Sequence, residues 1–119
     1  MIQYQVKVVA RQYKDDEFVS FLNTISQEFR KEKGCDGFEL YRDMEKENAF
    51  AIVGVWKNRK AMEEHFQRRN YKALLGAAKV LGESYEMKIA ALLDKNGLEL
   101  VRDLSSRTKE QKPDNLEGG

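Results

Sequence analysis

The chain has 119 residues, 41% of them hydrophobic and 34% charged, which is typical of one compact globular domain. Its 21 basic and 20 acidic residues argue against a protein that binds nucleic acid through phosphate contacts. One cysteine excludes an intramolecular disulfide, and one histidine excludes a zinc site with several histidine ligands. No apolar run approaches the roughly 20 residues of a membrane helix and no signal peptide is visible, so we expect no membrane contact and a cytoplasmic location.

The chain begins with the pattern of a strand followed by a helix. Residues 2–12 alternate between apolar and polar side chains, and this period of two predicts a strand. The run from Lys14 to Glu17 predicts a helix start capped by an aspartate. Apolar residues then recur at helical spacing, and we expect Gly34 to end this helix.

Two strands joined by a short polar turn come next. Residues 38–44 alternate, whereas residues 49–56 read Ala-Phe-Ala-Ile-Val-Gly-Val-Trp and are apolar on both faces. Such a strand needs a cover on both sides of its sheet. Because a chain of this length has little left for a second cover, we expect a homodimer that packs sheet to sheet.

The second half repeats the helix and strand pattern. Asn58 is suited to cap a helix that runs to Arg68, and residues 71–81 form a second helical stretch. Residues 84–93 alternate again and predict the last strand. The resulting order β-α-β-β-α-β, with an antiparallel sheet, is that of a ferredoxin-like α+β domain.

The predicted domain covers residues 1–96. We expect residues 97–104 to add a short strand that folds back or crosses to a partner, because Asn96-Gly97 is a strong turn signal. Residues 105–119 are polar and predict a disordered tail.

Several segments resemble antibiotic biosynthesis monooxygenase domains. Glu32-Lys33-Gly34-Cys35, followed by Phe38-Glu39-Leu40-Tyr41-Arg42-Asp43, is similar to a signature of that family. The similarity continues to residue 93 through Asn48, Phe50, Trp56, Ala61, His65, Tyr71, Leu74 and Leu75. The resemblance implies a dimeric α/β barrel that oxidises a small aromatic or quinol-type substrate with molecular oxygen and uses no cofactor.

The chain departs from the pattern of that family at three positions. Gly54 stands where many members have glutamate, Asn70 where they have a second histidine, and Phe38 where they have tyrosine. Haem-degrading members carry an axial histidine in the second helical region, which residues 71–76 lack, so we do not expect haem cleavage.

Oxygenation without a cofactor needs a base, a polar donor and an apolar wall. We expect His65 to act as the base and Asn70 to donate a hydrogen bond to the substrate. Arg42 is a candidate to hold an oxyanion. The candidate aromatic wall consists of Trp56, Phe38, Tyr41, Phe50 and Phe66.

Each candidate also has a structural interpretation. His65 and Trp56 fit a packed core, Asn70 fits a helix cap, and Gly54 fits a bulge or a close approach of backbones. Tyr41 and Arg42 point to opposite faces of their strand, so at most one of them faces a given pocket. Three hypotheses therefore stay open: a monooxygenase, a small-molecule-binding domain, and a structural dimer without catalysis.

Overall fold

A four-stranded sheet with helices on one face forms the described part of the protein. The computed structural model describes residues 1–92, so the predicted extra strand at 97–104 and the tail at 105–119 lie outside it. Its elements are β1 (Ile2–Ala10), α1 (Asp15–Arg30), β2 (Cys35–Arg42), β3 (Ala49–Trp56), α2 (Arg59–Gln67), α3 (Arg69–Leu81) and β4 (Gly82–Ala91). None of these helices is long and apolar enough to cross a membrane.

The strand order of the sheet is β2-β3-β1-β4, and every neighbouring pair is antiparallel. This order confirms the predicted ferredoxin-like α+β fold, in which β1 and β3 form the centre. The second helical region is divided at Arg68 into α2 and α3. The inward-facing side chains of β1 and β3 are buried and form the middle of the core.

The ends of the helices agree with the sequence in part. Asn58 caps α2 as predicted, since its side chain accepts a hydrogen bond of 2.9 Å from the Ala61 N–H. The predicted aspartate cap of α1 is wrong, because Lys14 occupies that position and makes no side-chain cap bond. α1 also ends at Arg30, and Gly34, with φ +87°, instead turns the chain into β2.

The two faces of β3 differ in burial. Phe50, Ile52, Gly54 and Trp56 are buried beneath the helices, and the alternate residues Ala49, Ala51, Val53 and Val55 are half-buried on the outer face. Within residues 1–92, all three helices contribute to the core on the inner face. The outer face therefore presents the apolar surface for which the sequence predicts a second cover.

Candidate active site

His65 lies at the centre of a cluster of aromatic rings between α2 and the sheet. It is fully buried, on the same helix face as Met62. Its ring centroid lies 4.3 Å from that of Trp56, 4.6 Å from that of Phe29 and 5.1 Å from that of Tyr71. Such packing is what the core interpretation of His65 predicts, but the hydrogen bonds of the ring add a second feature.

Both nitrogens of the His65 ring have polar partners. Nε2 lies 2.7 Å from the Tyr4 hydroxyl on β1, and Nδ1 lies 3.0 Å from a carboxylate oxygen of Glu32, which follows α1. The other carboxylate oxygen of Glu32 lies 2.9 Å from Nε of Arg68, at the junction of α2 and α3. These four residues, here called the polar network, connect the buried sheet to the protein surface.

Burial controls the protonation of the polar network. It raises the pKa of Tyr4 far above its ordinary value, so this hydroxyl keeps its proton. Burial and the neighbouring Arg68 lower the pKa of His65 to about 4, so the imidazole is neutral at pH 7. Burial raises the pKa of Glu32 to about 7, although the Arg68 charge opposes the shift. Glu32 is therefore the member that titrates near neutral pH.

The hydrogen bonds of a neutral His65 have a defined direction when Glu32 is ionised. A carboxylate only accepts hydrogen bonds, so Nδ1 must carry the proton and donate it to Glu32. Nε2 is then an acceptor, and the Tyr4 hydroxyl donates to it. Arg68 forms an ion pair with the same carboxylate from the solvent side, where its side chain is 51% exposed.

Gly54 provides the space that lets Tyr4 reach His65. A Cβ atom at position 54 would lie 2.9 Å from Cε2 of Tyr4 and 3.1 Å from Nε1 of Trp56. The Tyr4 ring therefore occupies the place of a side chain at this position. The pairing of β3 continues through Gly54 without a shift in register, so the interpretation as a bulge is wrong.

An apolar groove borders the polar network between α2 and β4. It has a volume of about 380 Å³, and its lining consists of Ile2, Met62, Phe66 and Ile89, with Arg59 and Glu63. Ile89 pairs directly with Tyr4 in the sheet. The Phe66 ring, which is partly exposed, lies 5.4 Å from the Tyr4 ring. Phe66 and Ile89 thus separate the groove from the Tyr4 side chain.

The candidate wall residues from the sequence form two groups. Trp56 and Phe38 are buried in the cluster around His65, and Phe66 lines the groove. Phe50 lies at the other end of β3, about 20 Å from Trp56 at the rise of a strand. One small aromatic ligand therefore contacts at most one of the two groups.

The second group surrounds a separate depression of about 400 Å³ near the end of β2. Tyr41, Arg42 and Phe50 all line it. The Arg42 guanidinium lies 4.9 Å from the centre of the Phe50 ring, and Tyr41 points to the outer face beside Ala51. Tyr41 and Arg42 thus face opposite sides of β2 as predicted, but both line this depression at the end of the strand, so the prediction that at most one of them faces a given pocket is wrong.

Asn70 lies on the first turn of α3, and its side chain is exposed. Arg68 is the N-cap residue of this helix, so the interpretation of Asn70 as a cap is wrong. Its hydrogen bond to a substrate stays a prediction.

Sequence reasoning did not single out Tyr4, Glu32 and Arg68 as site residues. Two signals for them were present, because Tyr4 points inward in the alternation of β1 and Glu32 belongs to the segment that resembles the family signature. Arg68 offers no such signal. The sequence places Arg68 at the junction between α2 and α3, but only the tertiary structure brings this junction next to Glu32.

Comparisons with known proteins agree with this fold. A family model described as Antibiotic biosynthesis monooxygenase matches residues 1–76. An uncharacterized Synechocystis protein is 37% identical over 54 residues, which are 45% of this chain and only 37% of that protein. The Bacillus subtilis protein YcnE, whose name proposes a monooxygenase, is 27% identical over 81 residues, which are 68% of this chain and 85% of YcnE.

A solved structure extends the comparison to the fold. It is the crystal structure of a Deinococcus radiodurans protein proposed to be an antibiotic biosynthesis monooxygenase. The two structures agree with a TM-score of 0.74 at 21% sequence identity, over 79% of this chain and 94% of that chain.

Proposed function

Because the chain belongs to the antibiotic biosynthesis monooxygenase family, we propose that it is a monooxygenase that oxidises a small aromatic or quinol-type substrate with molecular oxygen and no cofactor. The observation that carries this proposal is a polar network that ends at Tyr4 beside an apolar groove. Trp56 and Phe38 support the aromatic cluster behind this site. A cytoplasmic location stays a prediction of the sequence.

The chemistry of the proposed reaction requires few groups from the protein. Loss of a phenolic proton makes an aromatic ring electron-rich enough to react with dioxygen. The methylene group of an anthrone and dioxygen then give a carbonyl group and water, whereas a hydroquinone and dioxygen give a hydroxyquinone and water. In both reactions the substrate supplies all the electrons. The protein has to hold the ring in an apolar groove, accept the proton and stabilise the anion by hydrogen bonds.

The groove and the polar network fit these requirements when one side chain moves. Phe66 stands between the groove and Tyr4, and it is partly exposed on α2. A rotation of its ring brings a bound phenol to the Tyr4 hydroxyl. In the proposed site, Met62 and Ile89 contact the face of the substrate ring, and Tyr4 contacts its oxygen.

We include a homodimer in this proposal. The apolar outer face of β3 is flanked by charged residues on the neighbouring strands, Lys7 on β1 and Glu39 on β2. Two copies that pack these faces together cover the half-buried residues Val53 and Val55. This arrangement is the dimeric barrel that the family resemblance implies.

The test is dissolved-oxygen uptake by metal-stripped protein with hydroquinones, anthrones and related phenols. We expect uptake with at least one compound and at least a tenfold loss in Tyr4→Phe. Tyr71→Phe is the matched control, because it removes a hydroxyl that bonds to Met87 and not to His65. Equal uptake in the wild type, Tyr4→Phe and a protein-free control would indicate autoxidation and refute the proposal.

A binding domain without turnover is the second candidate. The observation that favours it is the complete burial of Tyr4 and His65, which separates the polar network from the groove. Such a domain is stabilised by an aromatic ligand, by about 2.7 kcal/mol at one hundred times Kd, and consumes no oxygen. Thermal stabilisation by a panel compound that causes no oxygen uptake would favour this function, whereas a domain with only a structural role responds to neither assay.

A further inference from the structure

His65 has no free nitrogen with which to reach a substrate. Its ring is fully buried, Nε2 lies against the Tyr4 hydroxyl and Nδ1 lies against the Glu32 carboxylate. In the proposed site, in which the Phe66 ring has rotated and the substrate oxygen contacts Tyr4, the substrate proton passes to the Tyr4 hydroxyl. It can continue only through His65, since the Tyr4 hydroxyl bonds to no other described side chain.

We propose that Glu32 is the proton acceptor at the outer end of a relay that runs from Tyr4 through His65 to the surface beside Arg68. Three contacts carry the proposal. The Tyr4 hydroxyl lies 2.7 Å from Nε2 of His65, and Nδ1 of His65 lies 3.0 Å from Oε2 of Glu32. Oε1 of Glu32 lies 2.9 Å from Nε of Arg68. The role of the relay in catalysis rests on the proposed function, whereas the relay itself does not.

The proton transfers balance without any co-reactant. Ionisation of a bound phenol breaks its O–H bond and leaves the electron pair on the phenolate oxygen. The proton passes to the Tyr4 oxygen, while Tyr4 gives its own proton to Nε2 of His65 and Nδ1 gives its proton to Glu32. Tyr4 and His65 each gain one proton and lose one, so only Glu32 gains a net proton, and the His65 proton has moved from Nδ1 to Nε2. Water then removes the proton that Glu32 gained. A proton that later passes from Glu32 to the product oxygen along the same contacts restores the proton at Nδ1.

Glu32 is placed to exchange protons with both the interior and the solvent. Its side chain is 9% exposed, and the half-exposed Arg68 holds it at the surface. Arg68 and His65 are its polar contacts, and Tyr4 and Cys35 are further titratable groups close enough to feel its charge. Because burial raises the pKa of Glu32 to about 7, the carboxyl group can accept and release a proton near neutral pH.

The direct test is the exchange of the Tyr4 hydroxyl proton with D₂O, measured by the isotope shift of the Cζ resonance in protein labelled with ¹³C-tyrosine. Tyr4→Phe identifies the resonance among the five tyrosines. At pH 7 we expect Glu32→Gln to slow this exchange at least tenfold. Glu32→Asp keeps the carboxylate and is expected to recover part of the rate. Glu28→Gln removes an exposed carboxylate of α1 that does not contact His65, and should leave the rate unchanged.

Backbone amide exchange in β1 separates the relay from a damaged fold. A destabilised variant opens more often, so both its amides and its Tyr4 hydroxyl exchange faster. Loss of the relay changes the exchange rates differently, because exchange of the Tyr4 hydroxyl proton slows while exchange of the β1 amide protons does not. The proposal would be overturned if the Tyr4 hydroxyl proton exchanged as fast in Glu32→Gln as in the wild type. It would also be overturned if the hydroxyl exchange rate changed in parallel with the amide exchange rates in every variant. No recovery in Glu32→Asp would also count against it.

Turnover supplies an independent readout. With a compound that supports oxygen uptake, Glu32→Gln should lower kcat at least tenfold and leave KM within twofold, since Glu32 does not contact the substrate. A kcat equal to that of the wild type would show that catalysis does not use the relay. If the wild type consumes no oxygen with any compound, the proposed function fails, and the hydroxyl exchange experiment still decides whether the relay exists.

Discussion

Gly54→Ala tests whether Tyr4 occupies the space beside position 54. The added Cβ would lie 2.9 Å from Cε2 and 3.1 Å from Cζ of Tyr4, and 3.1 Å from Nε1 of Trp56. Both rings are fully buried in the core and have little room to move. Overpacking of this kind costs about 1–3 kcal/mol, which exceeds the roughly 0.5–1 kcal/mol that alanine gains over glycine within a strand.

The net effect of Gly54→Ala should therefore be a loss of up to about 2 kcal/mol in the free energy of unfolding, measured by urea denaturation. Gly76→Ala is the matched control. A Cβ at position 76 has no atom within 4 Å, and α3 favours alanine, so we expect a gain of about 0.5–1 kcal/mol.

A double-mutant cycle locates the cause of the loss. In a Tyr4→Leu background the ring is absent, so Gly54→Ala should lose less than it does beside Tyr4. We expect a coupling free energy of at least about 1 kcal/mol between positions 54 and 4. Additivity within about 0.5 kcal/mol, or a stable Gly54→Ala single variant, would refute the packing argument.

The remaining predictions concern pH, capping and assembly. Because the pKa of Glu32 is raised in the folded protein, Glu32 stabilises the fold at low pH, and this stabilisation is lost as pH rises from about 4.5 to 7. Because the pKa of His65 is lowered, its effect has the opposite sign, and the free energy of unfolding increases as pH rises from about 4 to 6.5. These two effects cancel over pH 4.5–6.5 in the wild type. In Glu32→Gln only the His65 effect remains, so the free energy of unfolding should increase with pH by up to about 1.4 kcal/mol per pH unit more than in the wild type. Urea denaturation at several pH values that gives the same pH dependence for both proteins would contradict this. Asn58→Ala should cost about 1 kcal/mol in thermal unfolding, because the Ala61 N–H loses its cap; an unchanged Tm would mean that the cap contributes nothing. Val53→Lys should convert a dimer to a monomer in light scattering, since it charges the outer face of β3, and a wild type that is already monomeric would refute the proposed dimer.

The secondary structure was predictable because its signals are local. β3 extends over the predicted residues 49–56, and its two apolar faces follow directly from side-chain alternation. The start of α1 was less predictable, since any of four neighbouring polar residues can precede a helix. Lys14 occupies the cap, and the three acidic residues of the first turn interact with the helix dipole instead.

The sequence by itself determined the order of strands and helices, the family and the position of His65 on the inner face of α2. Only the tertiary structure brought Tyr4, Glu32 and Arg68 together around that histidine. Tyr4 is separated from His65 by 61 positions and Glu32 by 33, so no periodicity of one helix or strand connects them. Only the tertiary structure explains why position 54 is a glycine, because the Tyr4 ring that fills the space beside it comes from the neighbouring strand.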